Sequence, residues 1–420
     1  MLKAMLNKKT LETLGPGILF AGAAIGTSHL VQSTRAGAVY GLGLIVVILF
    51  ANFLKYPMYR FGPQYTAATG FSILHGYRAL GRWAILLLIA TEFPVNIIIV
   101  AASALVTSGI GLYIFELDVS VTYLASILIV IAFILIGLGG YKFIDRITKW
   151  FVATLTVCTV IATLLTIPYV DWSAPNFYMP EMSTTTLAFV LALLGFMPAG
   201  ASLAIMHSVW SVEKSKILGQ RVTKSEAMLD LNIGYLGSVV LAICFLIMGA
   251  GTLNTQGIEL SANPSNFAGQ VISLYSETLG AWSAVVVGVS VFAVMLSTLL
   301  TTLDGFARMH QSAFKELYVN NKVEPDNLQE KDFHSLIMAS LACGAIVVLL
   351  VFMTNFRLFI DFVTITAFLV APVIAILNHL VMHGDTVPEV SRPDKIFTVW
   401  SYLGVLFLLV MSGMYLALGL

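Results

Sequence analysis

An all-α integral membrane protein of about eleven spans is the fold class this sequence predicts, arranged as two five-helix halves inserted in opposite senses with an eleventh helix appended. Three observations predict it. The 420 residues are 58% hydrophobic and only 10% charged, where a soluble domain carries about 25% charge. The basic residues gather on alternate connections between apolar runs. Two runs five spans apart are interrupted at matching places by Gly, Pro and hydroxylated residues.

A helix needs about 20 apolar residues to cross the hydrocarbon. Such runs lie at 16–38, 40–60, 83–115, 119–139, 147–168, 184–211, 226–250, 268–304, 334–354, 357–382 and 396–419. The third and eighth are long enough to tilt or to leave the bilayer. With residues 1–15 in the cytoplasm, the cytoplasmic connections collect every Lys and Arg except Arg35 and Arg357, with Lys55 and Arg60 assigned between spans two and three. The positive-inside bias then sets a plasma-membrane, multi-pass topology with the N-terminus inside and the C-terminus outside. The organisation expected is a first repeat over 16–168, a second over 184–382 and an eleventh helix over 396–419. No cleavage site follows the first run, so that span directs insertion itself. The polar stretch 305–333 is expected to be an intracellular connection carrying a short helix.

Composition also excludes functions. Lys+Arg and Asp+Glu are both 22, so no positive excess exists for binding nucleic acid. Cys158, Cys244 and Cys343 stand singly in apolar runs, without the spacing of a disulfide framework or a zinc site. No HExxH, nucleotide-binding loop or Ser elbow occurs. An enzyme or an ATP-driven pump is therefore not expected, and neither is a cofactor beyond a coupling ion, H⁺ or Na⁺.

The interruptions come next. Span one reads Gly15-Pro16-Gly17, then Ala21-Gly22-Ala23-Ala24-Ile25-Gly26-Thr27-Ser28-His29. Span six reads Gly195-Phe196-Met197-Pro198-Ala199-Gly200-Ala201-Ser202. A mid-span Pro removes a donor and clashes with the preceding turn. In lipid the freed backbone groups must find partners, so such breaks stand only beside protein or a wet cavity. A single break reads as a packing kink. Two at matched positions of two halves mark an inverted-repeat secondary transporter, with its site between them. Channel and transport-inactive sensor are the competing readings.

At this point the sequence resembles a known family. Gly15-Pro16-Gly17-Ile18-Leu19-Phe20-Ala21 resembles the opening of the NRAMP (natural resistance-associated macrophage protein) divalent-metal transporters. Ala36-Gly37-Ala38-Val39-Tyr40-Gly41, Ala51-Asn52 and Ala68-Thr69-Gly70 resemble their next motifs without a gap. Thinner matches follow at His207-Ser208, Asn232 and Thr302-Leu303-Asp304-Gly305. The resemblance implies a LeuT-type 5+5 inverted repeat, with the site between unwound helices one and six.

The departures fall on the site. Where the family has Asp-Pro-Gly-Asn, whose Asp and Asn ligate the metal, this chain has Gly26, Thr27, Ser28 and His29. Against the family's Met-Pro-His it has Met197, Pro198 and Ala199, though counting back from His207 places Gly200 at the Met position. The acidic pair of helix three is missing, and Glu92 alone remains. Hard divalent cations need mostly charged oxygen ligands. Ser, Thr, His and Met without a carboxylate suit Mn²⁺ poorly. His29 with Met197 would suit a softer metal ion, and the same groups suit a small organic solute held by hydroxyls, carbonyls and a half-helix end.

The substrate site is accordingly expected at Gly26, Thr27, Ser28, His29, Gln32, Met197, Pro198, Ala199, Gly200 and Ser202, with Glu92, His207 and Asp304 in coupling or gating. Intramembrane ionisable groups are functional candidates by default. Gln32 is one turn past His29 on the same face. Asp304 is expected to face Arg308, and Asp361 to pair with Arg357, each one turn away. Asp230 and Glu277 are expected to reach water at span ends. Arg35 either closes an outer gate or snorkels to the headgroups. Ser297, Thr298, Thr301 and Thr302 form a polar stripe on span eight that resembles a sodium-binding helix of LeuT-type folds, or else bond their own backbone.

Overall fold

The computed structural model describes residues 14–257, 261, 263–318, 327–353 and 355–419, with side chains set aside at 27, 140–149, 151, 174, 175 and 327–331. Among the described residues the chain is helices and their connections. Helix one is α1 (Pro16–Ala24), a π-helical stretch (Ile25–Ser33) and α2 (Thr34–Tyr40). Then come α3 (Ile45–Thr69), α4 (Ile73–Leu80), α5 (Arg82–Ile114) and α6 (Val121–Thr166). Helix six is α7 (Thr184–Phe196) and α8 (Ser202–Leu218). The rest is α9 (Lys224–Gly249), α10 (Pro264–Leu279), α11 (Ser283–Tyr318), α12 (Asn327–Phe352), α13 (Phe356–His383) and α14 (Lys395–Leu418).

Among the described residues eight segments are long and apolar enough to cross a bilayer, two of them, Val121–Gly139 and Val152–Tyr169, along α6 and its C-terminal end. Val121 lies beside the end of α5, where Ser108 Oγ donates to its carbonyl at 2.9 Å. Thr166 packs on Gly251, just past the end of α9. The ends of α5 and α9 both adjoin α10, so α6 crosses twice. The other three expected spans are helix one, helix six and α3, which is too polar to score by hydropathy because it carries Asn52, Lys55 and Arg60.

Two expected boundaries are corrected. Span two was expected at 40–60, yet α3 runs from Ile45 to Thr69 and stops at Gly70, whose φ of 85° makes a left-handed cap. Lys55 therefore lies inside a helix and not on a cytoplasmic connection. The eighth run, 268–304, is two helices. Asn263 accepts from the Ser265 and Asn266 N–H groups to start α10, Pro264 takes the first position, and Gly280 at φ 94° ends it. α11 then continues through 305–318, expected as a connection; residues 319–326 lie outside the described set.

Packing ties each interrupted helix to one unbroken neighbour. α9 runs along helix one at backbone contact. A Cβ on Gly37 would stand 1.9 Å from Leu246 O, and one on Gly234 2.0 Å from Gly17 O. Only glycine permits that approach, the means by which membrane helices pack without a hydrophobic drive. α3 runs along helix six in the same manner.

Candidate functional site

Both expected interruptions are present, and they differ. Helix one leaves helical geometry at Gly26 (φ −59°, ψ −125°) while its π-helical turns carry on. Helix six is open from 197 to 201, between Phe196 and Ser202. The freed backbone carbonyls have donors, as a low-dielectric interior demands. Ser28 Oγ reaches Ala24 O, and lies 3.2 Å from Pro198 O across the gap. Thr298 Oγ1 of α11 donates to Gly22 O at 2.8 Å. Tyr59 of α3 donates to Ala199 O, and Lys55 Nζ donates to Leu194 O at 2.6 Å and Gly195 O at 3.0 Å.

Between the breaks lies a small pocket with room for about one water molecule. Ser28, Ser103, Ala199, Gly200 and Thr302 supply its hydroxyl and backbone groups, and Ile99, Phe196 and Phe306 its apolar walls. Of the expected substrate residues it takes Ser28, Ala199 and Gly200. His29 is buried and turned to α9, with Nε2 2.8 Å from Ser238 O and Nδ1 2.7 Å from Ser28 Oγ. A carbonyl only accepts, so Nε2 carries a proton toward Ser238 O. Met197 Sδ takes the Ser33 hydroxyl at 3.9 Å. Gln32 faces α13, 3.4 Å from Thr364 Oγ1 and 3.5 Å from Asp361, so it does not share the partner of His29. Gly26 and Pro198 form the breaks themselves, and the Thr27 side chain lies outside the described set. Among the described residues no three His, Cys, Asp or Glu side chains converge as a metal site would require.

Behind the pocket, Ser202 at the start of α8 joins helix six to α5. Its hydroxyl lies against Glu92 Oε2 and 2.9 Å from Asn96 Oδ1. Asn96 Nδ2 is 3.1 Å from His310 Nε2 on α11. Glu92 Oε1 and His310 Nδ1 are buried without a hydrogen-bond partner in the structure. Asn96 and His310 were not expected here; the signal available was an Asn one turn beyond Glu92 and a His in an otherwise apolar helix face.

The pocket is shut at both ends. On the face away from the basic helix ends, Arg35 Nη1 meets Asp361 Oδ1 at 2.6 Å and its guanidinium lies over the Phe189 ring at 4.6 Å. The expected Asp361–Arg357 pair is thus replaced by one joining helix one to α13. On the basic face, Asp230 of α9 accepts from the N–H groups of Gly15 (2.9 Å) and Gly17 (2.7 Å). It caps the N-terminus of α1, where a carboxylate meets unpaired donors and the positive end of the dipole. Expected in water, Asp230 is instead 3% exposed, and His207 Nε2 lies 3.5 Å from it. Beside this latch Phe20 stacks on Tyr235 and meets Tyr59 edge-on, and Tyr59 tilts against Tyr235. Asp304 holds Arg308 at 2.7 Å as expected, with His334 at 3.4 Å, beside a polar hollow of about 580 Å³ on the basic face. Thr302 bonds its own helix at Thr298 O, the alternative expected for that stripe, whereas Thr298 reaches helix one.

Comparison with known proteins agrees with this architecture. The profile of the natural resistance-associated macrophage protein-like family, Nramp, matches residues 17–418. An uncharacterized protein of Pasteurella multocida, PM0681, is 29% identical over 377 residues, covering 89% of this chain and 85% of that one. The divalent metal cation transporter MntH of Staphylococcus aureus is 22% identical over 326 residues, 72% of this chain and 71% of its own. Among solved structures, the Eremococcus coleocola manganese transporter in complex with an aromatic bis-isothiourea substituted compound superposes with a TM-score of 0.69 at 14% identity, over 97% of this chain and 86% of that one. MhsT in complex with L-phenylalanine superposes at 0.63 and 12% identity, over 94% and 98%. The fold is the LeuT-type inverted repeat with helices one and six broken.

Proposed function

The chain belongs to the natural resistance-associated macrophage protein-like family, and from that premise we propose that it is a secondary active transporter that moves a small cargo by alternating access. One observation carries the reading. A pocket between two broken helices is closed by two unlike latches, Arg35–Asp361 on one face and Asp230 on the α1 N-terminus on the other. Latches built of different groups can open in turn, which alternating access requires. By the positive-inside rule the basic face is cytoplasmic and the C-terminus outside, in the plasma membrane.

The cargo follows from the donors. The Staphylococcus relative is named for divalent metal cations, and a metal ion is the cargo that kinship suggests. The pocket offers hydroxyls and carbonyls, and no carboxylate lines it. A hard divalent ion entering it would lose water without charged oxygen ligands in return. The chemistry favours a small polar organic solute over Mn²⁺, and admitting one requires the shut pocket, sized for about one water molecule, to widen. Glu92 is the group suited to carry a coupling proton: it is a buried carboxylate one hydroxyl from the helix-six break, with one oxygen unengaged.

Reconstituted protein tests this. Screening metals against amino acids and amines by thermal shift reads binding through RT ln(1+[L]/Kd), and an organic solute is expected to raise the midpoint while Mn²⁺ does not. Saturable Mn²⁺ uptake into proteoliposomes would overturn the organic-cargo reading. Absence of any gradient-driven flux, with ligand binding retained, would make the protein a sensor. Glu92→Gln is expected to flatten the pH profile of flux; an unchanged profile would leave Glu92 a structural role.

A further inference from the structure

Among the described residues Lys55 is the most deeply buried Lys or Arg side chain. It sits at the middle of α3, 1% exposed, and its ammonium lies on the last carbonyls of α7, 2.6 Å from Leu194 O and 3.0 Å from Gly195 O. No Asp or Glu pairs with it among the described residues. Lys55 borders a small cavity lined mainly by apolar side chains, among them Pro57, Met58, Ala375 and Leu408, with Ser401 as its other polar side chain. An ammonium so placed is costly unless something opposite in sign faces it. That something is the end of α7. The last four carbonyls of a helix lack intrahelical partners and together carry roughly half a negative charge. In a continuous span this end would sit at the membrane surface. Here the break at 197–201 leaves it buried inside the protein.

Such a buried half-helix end is a place where a dissociable cation would be drawn, because exposed carbonyls and the negative dipole end are a cation's ligands. We propose that Lys55 is a tethered cation occupying this place permanently, so that the α7 end needs no dissolved ion at any stage of the cycle and α3 and α7 move as one body. A mobile ion would have to shed and regain its water on each turnover. A covalently attached ammonium does neither. The proposal does not depend on the cargo or on the presence of transport.

Removing the side chain should recreate an empty cation place of known shape. The full-length protein in detergent carrying Lys55→Ala is expected to lose about 5 °C in unfolding midpoint. Propylammonium, which matches the missing stem and charge, is expected to restore most of that loss saturably, while propan-1-ol of the same size restores none and wild type responds to neither. Lys55→Arg keeps the charge and should hold its midpoint near wild type. Lys55→Met keeps the stem without the charge and should fall as far as Lys55→Ala, unrescued because the stem blocks the place. If Lys55→Ala gives no folded protein, the Arg and Met variants decide alone. Wild-type stability of Lys55→Met, equal rescue by alcohol and amine, or equal failure of Arg and Met would each overturn the proposal. Because the readout is stability, a wrong assignment of cargo leaves this result untouched.

Discussion

The two broken helices are held in contrasting ways. Helix one is fastened at its tips. Asp230 takes the N–H groups that open α1, and Arg35 on α2 reaches Asp361. Between the tips it meets α9 through glycine contacts and the His29–Ser238 bond. Helix six is fastened at its middle, where Lys55 and Tyr59 of α3 hold carbonyls just before the gap and within it. The supporting helices α3 and α9 are equivalent positions of the two repeats, spans two and seven. Packing follows the pseudo-symmetry, and chemistry departs from it. Ties at the tips can be undone without disturbing the centre, which suits gates; ties at the break preserve the shape of the site.

The largest effect should come from challenging the shared packing. Gly37→Val brings a side chain onto Leu246 O and Gly62→Val onto Ala204 O, which a Cβ would approach at 1.9 and 2.2 Å. Each is expected to cost more than about 3 kcal/mol, the upper end for overpacking, and to abolish the monodisperse peak in size exclusion. Tolerance of one and not the other would end the equivalence of the two supports.

Next is the far tip of helix one. Arg35→Gln removes a charged hydrogen bond worth about 1.5–3 kcal/mol, so opening on that face should rise roughly tenfold or more. The alkylation rate of Ser28→Cys, in a protein without Cys158, Cys244 and Cys343, reports it. An unchanged rate would remove Arg35 from the gate. Smallest is Asp230→Asn, which keeps one acceptor of two. It should shift the basic-face opening about fivefold, the equivalent of about 1 kcal/mol. If instead it unfolds the protein, the tip is part of the fold and the contrast with helix six fails.

What the sequence disclosed was mostly local. Mean hydropathy and basic-residue placement marked the spans, and Pro198 and Gly26 marked the breaks. The Asp304–Arg308 pair was legible because one helical turn fixes it. Partners set by tertiary approach were not. Arg35 and Asp361 are separated by most of the chain, and Asp361 had a nearer basic residue in Arg357. Asp230 looked like a span end until α1 was seen to dock against it. Lys55 falls inside α3 because that helix runs on to Gly70, a strong helix terminator, rather than ending near residue 60. Glu92 was found by its charge, while its companions Asn96 and His310 come from two helices that only the fold joins.

One more contact links the two supports directly: Tyr235 Oη of α9 donates to Asn52 O of α3 at 2.7 Å, and Tyr56 Oη reaches Asn232 just beside it. Rods pinned by two such bonds cannot drift apart. A displacement of one support would be passed to the other through this rivet.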